Sequence, residues 1–370
     1  MVESLRQRLP ALLGHPVTLA LVLAFGVSGV VIALTGGAPF IAFSEMLLGG
    51  FTGSGLRATL GRSIPIVGMA LAFSLCFRAG ILNLGGEGQM LVGALAGTMT
   101  TILVPGPGLL VVPLALVVGA VVGGLWALLP ALGQTELQVP LLITSLLLNY
   151  VARSLNSYLV RYPFGEEGAA FASTVAVPET ARIPKIEMLG GGVSISLLFV
   201  LGLVVFLSYL FGRSIFGYET KMAGISGPFA RYGGVDVRRH TLVIMAAAGA
   251  IGGLVGTHLV VGETFRYVDA DMLSQTGFAW TGLMVALLAF NRPVPILVAG
   301  LFFAGLQIGG FAMERHTDVS WQLAEVIQAL VIVAVVSRLA IRWRRDRLDR
   351  VGPATLRGES DVDQAHVGEV

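Results

Sequence analysis

The sequence predicts an all-α integral membrane protein. It is a polytopic bundle of about ten transmembrane helices with a broken, re-entrant segment near 78–90. Three observations predict this. Of 370 residues, 55% are hydrophobic and only 12% are charged, roughly half the charge of ordinary soluble domains. Charge-free intervals run over 16–44, 88–135, 188–212, 240–262, 272–291 and 293–313, and a helical span needs about 20 apolar residues. The basic residues fall on alternate connections between these intervals, as cytoplasmic loops require. The same numbers argue against a soluble domain, a nucleic-acid binder or a disordered chain. Mean hydropathy is +0.83.

The expected spans are 17–35, 57–77, 88–104, 108–129, 141–160, 193–211, 241–261, 278–290, 294–312 and 321–341. The first has an apolar core too long for a signal peptide, and Leu34-Thr35-Gly36 is a poor cleavage site, so it reads as an uncleaved helix. Residues 40–55 read as an amphipathic helix in the interface. Pro105-Gly106-Pro107-Gly108 divides the 88–135 interval into two spans. With residues 1–16 in the cytoplasm, ten spans place Arg78, the 212–240 loop, Arg292 and the Arg-rich start of the tail on the same side. Segments 36–56, 161–192, 262–277 and 313–320 are then external, and in each the acids outnumber the bases. Residues 17–341 form the transmembrane domain. Residues 342–370 turn acidic and lack an apolar period, which predicts a disordered cytoplasmic tail.

Small residues four apart, such as Gly93/Gly97, Gly119/Gly123, Gly249/Gly253 and Gly305/Gly309, predict close helix packing. Residues 78–90 differ. Three Gly within four positions break a helix, and Asn83, Glu87 and Gln89 sit between apolar spans. A broken helix lining a solute site and an ordinary turn with a solvated Glu87 fit this composition equally well. Asn149, Gln307 and Gln328 are further polar side chains near span depth, and Phe278 and Trp280 open the eighth span with aromatic faces. Together these eight residues form the expected substrate path.

The segment Phe77-Arg78-Ala79-Gly80-Ile81-Leu82-Asn83-Leu84-Gly85-Gly86-Glu87-Gly88-Gln89 resembles "f-R-a-G-l-f-N-i-G-x-E-G-Q", a phrase of bacterial ABC importer permeases for simple sugars and nucleosides. Asn83 and Glu87-Gly88-Gln89 favour the nucleoside branch. Leu148-Asn149-Tyr150, the 224–234 segment and Gly282–Leu288 resemble three further family phrases. Leu141 stands where one phrase has Glu, and Trp280-Thr281 where another has Phe-Asp. The resemblance implies a nucleoside permease in the bacterial inner membrane, with a simple-sugar permease as the alternative. It also implies that 218–236 docks a separate ATPase through Gly224, Pro228, Ala230, Arg231, Tyr232 and Gly234. The implied partners are that ATPase, a second permease subunit, an extracytoplasmic solute-binding protein and membrane lipid, with no nucleic acid.

No cofactor is expected in this chain: it has no G-x-x-x-x-G-K-[ST], so ATP-Mg belongs to the partner ATPase. Its lone Cys76 and five scattered His offer no metal set, and no nucleophile–base constellation suggests an enzyme. An ion-coupled transporter is the less favoured rival, because Glu87 is the one strong ionisable residue at span depth.

Overall fold

A computed structural model describes residues 16–34, 36–188, 191–274 and 276–334. The expected cytoplasmic N-terminus up to residue 15 and the expected disordered tail lie outside the described residues. Fourteen α-helices are described: α1 (Pro16–Leu34), α2 (Pro39–Phe51), α3 (Gly53–Arg78), α4 (Gly86–Leu103), α5 (Gly108–Leu137), α6 (Leu141–Arg161), α7 (Ser196–Arg213), α8 (Ile215–Ile225), α9 (Gly227–Tyr232), α10 (Val237–Leu259), α11 (Ala270–Ser274), α12 (Phe278–Leu288), α13 (Pro293–His316) and α14 (Gln322–Ala334). Each of the ten expected spans overlaps one of them; the helix expected over 108–129 runs on to Leu137, and residues 335–341 of the last expected span lie outside the described residues. By length and composition, α3, α5, α7, α10 with its terminal π turn, and α13 can cross a membrane.

The chain forms two compact units, one of Met1–Phe40 with Gln322–Val370 and one of Ile41–Trp321. In the first, α1 buries a single stripe of Ala24, Ser28 and Ile32, and α14 buries Leu323, Ala324, Ile327, Gln328 and Val331. These spacings of three and four are those of one helix face.

In the second unit, α4, α5 and α10 meet through the small residues expected to pack. A Cβ on Gly93 would overlap Gly253, and one on Gly253 would overlap the Gly119 carbonyl. The Thr257 hydroxyl, one turn on, donates to the carbonyls of Gly93 (3.1 Å) and Gly253 (2.9 Å). Gly305 and Gly309 of α13 make the same kind of contact with α2, against Phe51 and the Met46 carbonyl. Helix α2 therefore packs on α13.

Helix α6 is amphipathic with its polar side inward. It buries Ser145, Asn149, Ala152 and Asn156 and exposes Leu147, Tyr150, Val151, Leu155 and Tyr158. That inversion suits an apolar solvent. The 161–192 segment, expected outside, departs from the all-helical expectation with a small antiparallel hairpin, β1 (Lys185–Met188) and β2 (Gly191–Ser194), pairing Lys185 with Ser194.

Candidate functional site

Helix α3 ends at Arg78, whose guanidinium lies 4.3 Å over the Phe211 ring near the end of α7. Residues Ala79–Gly85 are non-helical, and Gly80 has φ +73°, a conformation that favours glycine. Helix α4 starts again at Gly86, facing Gly252 of α10. Gly252 is fifteen residues into α10, about 22 Å at 1.5 Å per residue. The broken segment thus carries the chain from the Arg-rich end of the bundle back to mid-depth. The polar groups are buried there, so Glu87 is not the solvated side chain of an ordinary turn.

The break is held by side chains. Asn149 of α6 accepts from the Gly88 N–H and donates to the Leu84 carbonyl, both at 2.8 Å. Ser145 accepts from the Leu84 N–H at 3.1 Å. The Asn83 carboxamide accepts from the Gly85 N–H at 2.9 Å, and it exchanges two longer hydrogen bonds of 3.4 and 3.3 Å with Gln89. The freed backbone groups are thereby paired, as a low-dielectric interior demands.

Glu87, in the first turn of α4, is 4% exposed. It accepts from Arg153 Nη2 at 2.6 Å, from Trp280 Nε1 at 3.0 Å and from the Ser274 hydroxyl. Trp280 stands in the first turn of α12, an eleven-residue helix that also begins inside the bundle. Two helix N-termini therefore converge on one carboxylate, and their dipoles favour its charge. Residues 264–270 lie over this junction. The Tyr267 hydroxyl donates to the Leu91 carbonyl and Asn156 Oδ1, each at 3.3 Å, and Asp269 accepts from Arg161 at 2.8 Å and Ser157 at 2.6 Å. Burial, and then the Asp269 carboxylate, push the Tyr267 phenol above its usual range, so it stays a neutral donor.

A second polar group lies beside the first. Arg62 of α3 donates to Gln307 Oε1 at 2.6 Å, and Gln307 donates to the Thr281 hydroxyl at 3.2 Å. The Arg62 guanidinium sits 4.8 Å over the Phe278 ring. Both face a cavity of about 400 Å³ lined by Arg57, Arg62, Lys185, Ser194, Glu263 and Phe278, within the size range of small-molecule sites. Lys185 pairs with Glu263 at 3.7 Å across it.

Of the expected path residues, the fold thus gathers Asn83, Glu87, Gln89 and Asn149 at the break, with Trp280 joining them. It places Phe278 at the cavity, with Gln307 behind it, bonded to the lining residue Arg62. Gln328 lies in the other unit, buried on α14. Sequence reasoning passed over Arg57, Arg62, Lys185 and Glu263 as residues of helix ends and loops. The signal for Arg57 and Arg62 was present: two cations five apart in an otherwise apolar span.

The expected docking helix over 218–236 is two short helices, because Ser226 intervenes and caps the second by accepting from the Phe229 N–H at 3.4 Å. Pro228 occupies the first turn of α9, and Gly234 is left-handed at φ +86°. A Cβ on Gly224 would overlap the Arg78 carbonyl, so α8 seats directly on the broken segment. Ala230 is buried. Arg231 is exposed, as are Phe229 (60%) and Tyr232 (93%). Among the described residues, no three His, Cys, Asp or Glu come together as a metal set.

Residues 55–336 match the family model described as branched-chain amino acid transport system / permease component. The chain belongs to this permease family. It is a multi-pass membrane transport component and not an enzyme. The permease is 34% identical over 372 residues to the glucose ABC transporter permease protein of Haloferax volcanii, covering 95% of this chain and 96% of that one. It is 29% identical over 298 residues to the guanosine ABC transporter permease protein NupP of Bacillus subtilis, covering 80% and 84%. Against the nucleoside ABC transporter permease protein NupB of Lactococcus lactis the identity is 24% over 332 residues, covering 87% and 90%.

Proposed function

We propose that the permease forms the membrane path of an ATP-driven ABC importer for nucleosides. The carrying observation is the broken α3–α4 junction, where the segment Asn83–Gln89 meets α12 beside a cavity of about 400 Å³ with an aromatic floor and hydrogen-bonding walls. The Arg62 guanidinium, stacked on Phe278, offers a planar face for a flat base, while Arg57 and Ser194 offer donors for ribose hydroxyls. The guanosine and nucleoside relatives support the same class of solute. The break residues Asn83, Glu87, Gln89 and Asn149 serve as the hinge that opens the path below the cavity. Trp280 and Gln307 link hinge to cavity.

The ATPase supplies ATP-Mg and docks on α8–α9, where Phe229, Arg231 and Tyr232 are exposed. Gly224, seated on Arg78, passes its movement to the break. An extracytoplasmic protein delivers solute at the 161–192 side, and a second permease subunit completes the path. The membrane is the bacterial inner membrane, with both termini cytoplasmic. A thiol probe applied from outside labels a Cys placed at Glu167 and misses one placed at Tyr232. Buried Cys76 leaves the background low. The reverse labelling pattern overturns this orientation.

A second reading, a hexose permease, is favoured by the Haloferax volcanii relative. Proteoliposomes holding the whole importer and its binding protein decide between them. Guanosine uptake that requires ATP, and that excess glucose leaves unchanged, supports the nucleoside reading. Uptake of glucose alone supports the second.

A further inference from the structure

A second cavity, of about 370 Å³, lies between α3, α5, α7 and α10, apart from the polar one. Its walls are apolar, with Ile64, Leu116, Phe199, Leu203 and Leu254 around it, and His258 of α10 reaches it. His258 is 4% exposed, and neither ring nitrogen has a hydrogen-bond partner. A neutral imidazole carries one N–H donor and one lone pair, and leaving both unmet in an apolar interior is unfavourable. A water fits poorly, since it needs two to four polar partners and this lining is almost wholly apolar. The fitting occupant is long and apolar with one polar group at the His258 end.

The exposed walls of the cavity show where such a molecule comes from. Leu198 and Phe199 form part of the wall and are 59% and 54% exposed, so the cavity opens on the outer face of α7. That face continues in exposed Val205 and Phe206, and α5 also exposes apolar Val117 and Val121. These surfaces meet bilayer hydrocarbon. His258, Pro184 and Ser196 lie at the end next to the external hairpin, and Ile251 and Leu203 lie deeper. A chain entering from the bilayer therefore places its ester near His258.

We propose that this cavity is a membrane-lipid site, holding one acyl chain of a glycerolipid whose ester carbonyl accepts from His258. The lipid fills the space between α7 and α10 and ties them together. His258 is also five residues from Glu263, which lines the polar cavity, so the two cavities are separate sites that share one helix end.

The test uses the complete importer in nanodiscs containing a glycerolipid with a diazirine in its acyl chain, followed by illumination and peptide mapping. In the unsubstituted protein, label concentrates on the α7 and α10 residues that line the cavity, falls as natural lipid is raised, and is unchanged by excess guanosine or glucose. Leu254→Trp and Leu116→Trp, on different helices, each reduce that label at least tenfold while label on exposed Val205 and Phe206 persists. His258→Leu reduces it several-fold. Absence of label from the cavity in the unsubstituted protein overturns the proposal, as does displacement by guanosine or glucose. Persistence of the label in either Trp variant that assembles with its ATPase overturns it too.

Discussion

Replacing Glu87 by Leu removes the acceptor shared by Arg153, Ser274 and Trp280. Removing one partner of a buried ion pair costs roughly 3–5 kcal/mol when nothing else pairs with the remaining charge, whereas Arg153 keeps the Ser274 hydroxyl at 2.9 Å. The Arg153 side chain is 32% exposed, so water reaches it, and about 2–3 kcal/mol is the better figure for this pair. The Trp280 N–H, left without an acceptor, adds about 1 kcal/mol. The total, about 3–4 kcal/mol, lowers the melting temperature of the detergent-solubilised permease by roughly 5–10 °C on the usual scaling. It also separates the first turns of α4 and α12, so uptake into proteoliposomes is lost. Glu87→Leu combined with Arg153→Leu replaces the pair with apolar contacts and regains most of the stability, as apolar replacement of a buried ion pair generally does. Uptake stays low in the double variant, because the carboxylate that joins the two helix starts is still missing. A single variant that melts within about 1 °C of the parent refutes the ion-pair argument, as does a double variant no more stable than the single. Parental uptake in the single variant refutes the hinge.

Gly253→Leu forces a side chain into the Gly119 carbonyl and the Gly123 Cα, and size-exclusion chromatography should show loss of the folded monodisperse permease, whereas Gly202→Leu on open α7 leaves it intact. Phe229→Ala with Tyr232→Ala removes two exposed side chains, so ATP-dependent uptake falls at least tenfold with an unchanged melting temperature; Ala230→Trp, at a buried position, lowers the melting temperature itself. Phe278→Ala removes the ring on which the Arg62 guanidinium stacks, and loss of that face for the base, with stacking worth about 1–3 kcal/mol per base, predicts a KM for guanosine raised about five- to hundredfold. Equal KM values in the parent and Phe278→Ala place the base elsewhere.

The membrane class, the helix positions and the break at 79–85 were legible in the sequence, because each depends on local composition. Hydrocarbon selects long apolar helices, Arg placement follows the loops, and clustered Gly weakens a helix wherever it occurs. The glycine pairs likewise announced close packing by their spacing alone. What the sequence left open was depth and partnership. Whether Glu87 was solvated or buried depended on Arg153, Ser274 and Trp280, which lie 66, 187 and 193 residues away. No periodicity connects such positions; the packing of α6 on α4 and the return of the chain over 264–280 bring them together. Arg62 looked like the outer end of a span until its guanidinium was seen bonded to Gln307 and stacked on Phe278. His258 carried no signal at all, since a lone histidine in an apolar helix acquires meaning only from the cavity that four separate helices build around it. Local chemistry set the elements, and long-range contact set what their polar residues do.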